Sequence, residues 1–265
     1  MPTEKQRRLA AQRHLQKQLE RRAEATRKRR HTLAILATVI SVLVVVGAVV
    51  LLTGVFGDDE PAAASPQAAG TVSCTYAPDE SGNTNLTEVG TPPEPESTPA
   101  TGTGTLLMST GQGDLTLTLD RAKAPCAAAS FTYLASEKFF DGSPCHRMVN
   151  GESFGVLQCG DPSGSGQGGP TYKYAEEVTP ETTYPRGTIA MANSGAPGST
   201  GSQFFLVFAD AELSPAYTVV GTVDEAGLAV LDQIAAGGND GSMEPQPGGG
   251  APNTPVTIES MTVVS

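Results

Sequence analysis

The chain has 265 residues, four Cys, no Trp and a formal net charge of −11. The charge is divided: residues 1–31 hold 11 of the 17 Lys and Arg with three acids, and the rest sets six basic against 25 acidic residues, about −19. An acidic body argues against a nucleic-acid-binding domain, and His146 as the one His in that body, with no CxxC pair, argues against a zinc site.

Residues 1–32 form a basic arm. Leu33 to Phe56 follow, 24 residues without a charge. At about 1.5 Å per residue this stretch spans a hydrocarbon core of roughly 30 Å as a helix. A cleaved signal has a shorter apolar region, about 7–15 residues, although A-A-A-S after Pro61 keeps cleavage open as an alternative. Lys and Arg stay on the cytoplasmic side. The expectation is one transmembrane helix at 33–56 in the cell membrane, with the N-terminus cytoplasmic and the C-terminal body extracytoplasmic. The basic arm then serves topology and anionic lipid, not nucleic acid.

Residues 57–104 read as an extracytoplasmic linker, with T-P-P-E-P-E-S-T-P at 91–99. Such composition lacks the apolar surface that offsets ordering entropy. Val72 to Tyr76 interrupts it around Cys74. Residues 105–265 form one domain of ordinary size. Leu106 and Met108, then Leu115, Leu117 and Leu119, alternate with polar residues on either side of G-Q-G-D at 111–114, which predicts a hairpin. Ala124-Pro125 opens a helix running to about Lys138. Short strands follow at 145–149, 155–159, 188–192, 203–208 and 217–223. A second helix covers about 224–236 and ends at Gly237-Gly238, and Thr254 to Val264 reads as a last alternating strand. The fold class is mainly β, a closed antiparallel barrel capped by two helices.

Alternate residues of a strand share a face. A hairpin of 145–149 with 155–159 therefore sets Arg147, Val156 and Gln158 on one surface, with Gln203 and Phe205 together on a neighbouring strand. A guanidinium, two amides and an aromatic ring beside an apolar floor suit an extended peptide carrying a proline. His146 faces away from Arg147 and reads as structural. The Gly-rich run at 164–169 lacks the Lys of a phosphate loop, so no nucleotide site is expected. The same alternation places Cys145 and Cys159 on opposite sides, which disfavours their bonding to each other unless a bulge intervenes. The pairings 74–145 with 126–159, and 74–159 with 126–145, both remain open.

C-H-R-M-V at 145–149, V-L-Q-C-G-D-P at 156–162, G-T-I-A-M-A-N at 187–193, G-S-Q-F-F-L at 201–206 and Y-T-V-V-G at 217–221 stand in the order found in cyclophilins. Over 105–265 the chain resembles that family. The resemblance implies an eight-stranded barrel and peptidyl-prolyl cis-trans isomerase activity on proline-containing polypeptides, without metal or other cofactor. It assigns catalysis to Arg147 and Gln158, and substrate binding to Phe154, Val156, Ala192, Asn193, Gln203, Phe205, Leu213 and Tyr217. Three features depart from the family pattern. Leu213 stands at or beside a position often held by Trp, Tyr217 stands where a His is usual, and the loop 150–155 is longer. The first weighs against tight binding of cyclosporin-type inhibitors. These departures also motivate an alternative, a non-catalytic proline-peptide-binding module or membrane-tethered scaffold.

Overall fold

The computed structural model describes residues 70–151, 154–245 and 248–264. The basic arm, the apolar segment 33–56 and the start of the expected linker lie outside them. Among the described residues no helix is long and apolar enough to cross a membrane.

Four two-residue strands come first: β1 (Thr71–Val72), β2 (Ala77–Pro78), β3 (Leu86–Thr87) and β4 (Thr98–Pro99). The domain proper then runs β5 (Thr103–Thr110), β6 (Gly113–Asp120), α1 (Pro125–Ser136), β7 (Arg147–Gly151) and β8 (Phe154–Cys159). It continues with β9 (Gly169–Pro170), β10 (Tyr172–Lys173), β11 (Thr188–Met191), β12 (Phe204–Ala209) and β13 (Val219–Val223). It closes with α2 (Glu225–Ala236) and β14 (Ile258–Val263).

The predicted alternation is what builds the sheet. In β5 and β6, Leu106, Met108, Leu115, Leu117 and Leu119 are buried while their neighbours are not. At about 1.5–3 kcal/mol for each fully buried side chain, such a row favours one register strongly, because a one-residue slip would expose all five. Phe131 and Leu134 of α1, and Leu228, Leu231 and Ile234 of α2, complete the same core. The caps of the helices differ in origin. Asp224 caps α2 locally, accepting from the Gly227 amide at 2.8 Å. Ala124 has no such side chain, and the carboxylate of Glu177 instead takes the Cys126 and Ala127 amides at 3.0 and 2.8 Å.

The expected closed barrel is not formed. The eight strands follow the order β14-β5-β6-β13-β11-β12-β8-β7, all antiparallel, and β14 and β7 share no ladder. The sheet is an open half-barrel. Isolated bridges cross the gap: Gly142 N–H donates to Ile258 O at 2.7 Å, Ile258 N–H to Ser143 O at 2.8 Å and Cys145 N–H to Val256 O at 2.8 Å, and Met148 and Gly250 exchange a pair at 2.7 and 3.1 Å. Pro144 and Pro255 lie among the residues that bridge these edges, and a prolyl nitrogen has no hydrogen to donate.

The expected linker at 57–104 also needs correction, because residues 70–104 are folded onto the domain. β2 pairs with β10, β3 with β9, and β5 already begins at Thr103. A few anchors offset the poor composition. Cys74 is bonded to Cys126, and Tyr76 packs edge-on against Tyr172 and Tyr174. The Tyr76 hydroxyl donates to Cys126 O, and that of Tyr133 to Val89 O.

Both pairings left open for the cysteines are wrong: the bridges are Cys74–Cys126 and Cys145–Cys159. Cys145 lies two residues before β7 begins, so strand alternation does not govern where its side chain points. A diagonal bond to Cys159 is then available, across from His146.

Candidate active site

The register places the site residues in one row. Arg147 of β7 lies opposite Gln158 of β8, Gln158 opposite Phe205 of β12, and Phe205 opposite Ala190 of β11. Directly opposed residues share a face, so this row crosses four strands on the side away from the core. On that side Val156, Ala190, Phe205, Val207 and Val219 form a second apolar cluster, separate from the interior. Phe154, Ala192, Leu213 and Tyr217 pack at its margin.

A cavity of about 620 Å³ opens over this cluster. Arg147, Phe154, Val156, Gln158, Ala192, Asn193, Phe205, Leu213 and Tyr217 all line it. The structure thus brings together every sequence-predicted site residue except Gln203, which lines a neighbouring cavity. Gln203 still touches the set: Gln158 Nε2 donates to Gln203 Oε1 at 2.9 Å, and Gln203 Nε2 to Gly168 O at 3.0 Å.

Arg147 is half-buried. Its partners include Gly248 O, which accepts from Nε at 2.9 Å, and Gln158 Oε1, which accepts from Nη1 at 3.0 Å. Burial draws the guanidinium pKa down, with Tyr217 and Glu244 acting the other way. A guanidinium is not deprotonated in proteins, so Arg147 remains a cation. A guanidinium carries five N–H donors in a rigid fork, and the oxygens of Gly248 and Gln158 fix its orientation at the cavity rim.

Several contributors were not legible in the sequence. Met243 lines the cavity, and Gly248 supplies the carbonyl behind Arg147. Both belong to a Gly- and Pro-rich loop after α2 that has no periodicity to read. Its close approach to the sheet needs glycine: Gly249 has φ +75°, and a Cβ there would lie 2.1 Å from Met148 O. The buried Tyr184 fixes the far wall. Its hydroxyl accepts from the Ala216 and Tyr217 amides at 3.1 and 2.9 Å and lies 3.0 Å from Tyr217 O. Phe205 and Tyr217 stand edge-to-face with ring centres 5.4 Å apart. His146 is buried, as a structural residue would be, yet its ring also reaches the cavity edge. Burial holds its imidazole below the usual range, so it is neutral at pH 7.

The Gly-rich loop is held by Asp161, whose carboxylate accepts from Ser163 N and Oγ at 2.8 and 2.7 Å and from Gly166 N at 2.7 Å. Gly166 and Gln167 of this loop line both cavities. A Cβ on Gly168 would fall 1.9 Å from the same carboxylate, so the loop closes only around glycine.

Residues 105–263 match the family described as cyclophilin type peptidyl-prolyl cis-trans isomerase. A relative from Mycobacterium leprae, probable peptidyl-prolyl cis-trans isomerase B, is 45% identical over 166 residues, 58% of this chain and 55% of its own. Peptidyl-prolyl cis-trans isomerase A of Mycobacterium tuberculosis is 36% identical over 174 residues, 59% of this chain and 90% of its own. The chain therefore spans about half the length of the first of these relatives and most of the second. A crystal structure of a Cryptosporidium parvum cyclophilin type isomerase superposes with TM-score 0.54 at 26% identity, covering 62% of this chain and 99% of that one. The same protein solved in the presence of the dipeptide Ala-Pro gives TM-score 0.52. By the extent of the family match and by the half-barrel carrying this row of residues, the chain belongs to the cyclophilin-type peptidyl-prolyl cis-trans isomerases.

Proposed function

We propose that the chain is a peptidyl-prolyl cis-trans isomerase that acts on X-Pro bonds of extracytoplasmic proteins, held at the cell membrane by the segment 33–56. The observation that carries the catalytic reading is the half-buried Arg147 guanidinium at the rim of the apolar cavity floored by Phe205. The Ala-Pro dipeptide of the Cryptosporidium parvum structure supports a proline-containing substrate.

Rotation about an X-Pro bond faces a barrier of roughly 18–20 kcal/mol, because the amide must leave its planar resonance. No covalent bond breaks, so neither nucleophile nor acid-base pair is needed. Twisting returns a lone pair to the prolyl nitrogen. An N–H of Arg147 aimed there binds the twisted amide better than the planar one, and only such differential binding accelerates the step. The proline ring occupies the notch between Phe154, Val156, Phe205, Leu213 and Tyr217. Gln158 orients Arg147, and the 192–193 backbone with Asn193 holds the flanking carbonyls. A hydrogen bond from a charged group contributes about 1.5–3 kcal/mol, or roughly tenfold to hundredfold in rate.

Arg147→Ala is expected to lower kcat/KM on an X-Pro peptide by about 10- to 100-fold. Equal rates for variant and wild type refute the assignment. Peptide binding seen by NMR with no catalysed exchange between cis and trans forms favours the binding module instead. The membrane reading rests on 24 uncharged residues following 11 Lys and Arg, with two disulfides beyond them. A C-terminal reporter enzyme active only outside the cytoplasm tests it, and an inactive but intact fusion overturns it.

A further inference from the structure

Arg147 is aimed from two sides. Gln158 Oε1 accepts from Nη1, and Gly248 O accepts from Nε at 2.9 Å. Gly248 O and the Gly249 N–H belong to one peptide group. That N–H is itself held, because it donates to the Glu244 carboxylate at 2.6 Å. Two hydrogen bonds therefore run from Glu244 through a single peptide group to the guanidinium. We infer that Glu244 is a positioning residue for the isomerisation, fixing the direction of the Arg147 guanidinium through the 248–249 peptide. The inference rests on the proposed isomerase reading and adds to it a residue that is not among those lining the cavity.

Three observations carry it. The peptide is one that needs holding. It lies between Gly248 at φ +93° and Gly249 at φ +75°. Glycine on both sides leaves a peptide free to turn over, and the reversed peptide would point N–H at a guanidinium that has only donors. The orientation is also matched in charge. The N–H faces a carboxylate and the C=O faces a cation, so the peptide dipole lies along the field of both, and bonds in such a chain strengthen one another. The neighbouring peptides, finally, are tied down independently. Gly248 N–H donates to Met243 O and Met243 N–H to Gly249 O, both at 3.0 Å, and Gly250 pairs with Met148, the residue after Arg147 on β7. These bonds carry the turn to the sheet, and the peptide between them is gripped by Glu244 and Arg147. Glu244 is exposed, so its truncation opens no cavity in the core.

The experiment compares the full chain in detergent as wild type, Glu244→Ala and Glu244→Gln on one X-Pro peptide. Glu244→Ala is expected to lower kcat by about 3- to 10-fold with KM within about twofold, the scale of one hydrogen bond. Glu244→Gln keeps an oxygen for the Gly249 amide and is expected to restore kcat to within about twofold of wild type. In an Arg147→Ala background, Glu244→Ala should cost nothing further, because it acts through that guanidinium. With isotope-labelled arginine, the Arg147 Nε–H signal, identified by its loss in Arg147→Lys, should exchange with water faster in Glu244→Ala and at the wild-type rate in Glu244→Gln. A wild-type kcat in Glu244→Ala, a loss confined to KM, an additive double variant, an unchanged exchange rate, or a Gln variant as slow as the Ala one each overturns the inference. Absence of acceleration by the wild type instead defeats the isomerase reading beneath it, and the exchange rate then still reports whether Glu244 holds Arg147.

Discussion

Asp161 supports the groove without touching the apolar cavity, so its replacement separates the holding of the Gly-rich loop from catalysis. Its side chain is fully buried beneath residues 163–168. Burial pushes the carboxyl pKa up, but hydrogen bonds from Ser163, Gly168 and Gly166 outweigh that and hold it below the usual carboxylate range. Asp161→Asn keeps the shape and exchanges one acceptor oxygen for a donor facing N–H groups. Losing one or two bonds to a charged acceptor costs about 2–4 kcal/mol. In a domain of this size that lowers the melting temperature by roughly 4–15 °C. Gly166 and Gln167 line both cavities, so KM on an X-Pro peptide is expected to rise several-fold while kcat stays close to wild type. The pH dependence follows from the direction of the shift. A depressed carboxyl stabilises the fold above its unfolded pKa, near 3.9, and that contribution is lost as pH falls through the folded value. Urea denaturation of both proteins from pH 7 down to about pH 3 should therefore show the gap between them narrowing in acid. A constant gap, or a fall in kcat with KM unchanged, refutes the reasoning.

Glu177 should behave with the opposite sign, because burial raises its carboxyl pKa despite the Ala127 and Cys126 amides. A raised pKa contributes stability below the unfolded value, and the contribution is lost as pH rises through the folded one. Wild type should gain stability relative to Glu177→Gln as pH falls from 7 to about 4 in urea denaturation, and a relative loss would exclude this account. Tyr184→Phe removes the hydroxyl that holds the Ala216 and Tyr217 amides. About 1–3 kcal/mol for each group left unpaired predicts lower stability and a KM raised several-fold with kcat little changed. An unaltered KM would show that the far wall does not depend on that hydroxyl.

The readable parts of this protein are those where a period-2 rule applies without interruption. The β5–β6 hairpin is readable because five apolar residues occupy one face and polar ones the other. Arg147, Gln158 and Phe205 could be grouped for the same reason, since each sits inside a strand and the strands prove to be in register. Alternation fails one or two residues beyond a strand end. Cys145 lies there, and extending the rule to it weighed against the bridge that forms. Closure of the barrel failed for a related reason: it depends on pairing between chain positions far apart in sequence, where only isolated bridges form and the alternation within either strand carries no information. Residues 70–104 were misread because composition averages over a segment, whereas one disulfide and a few tyrosine contacts suffice to hold it.

The site itself divides along the same line. Its floor and its guanidinium belong to strands, where facing residues are dictated by a repeat. Its aim and its walls belong to loops, where the contributing group is often a backbone atom that any residue could supply. Gly248 O behind Arg147 and the amides of Ala216 and Tyr217 on Tyr184 are of this kind. A carbonyl leaves no mark in the sequence beyond the glycines that let it approach, as at Gly249. Strand residues therefore supply the guanidinium and the apolar floor, while loops supply the groups that aim and wall them. The rate of rotation should accordingly respond to changes at Arg147, and substrate affinity to changes at the loop groups that hold the walls, such as the Tyr184 hydroxyl.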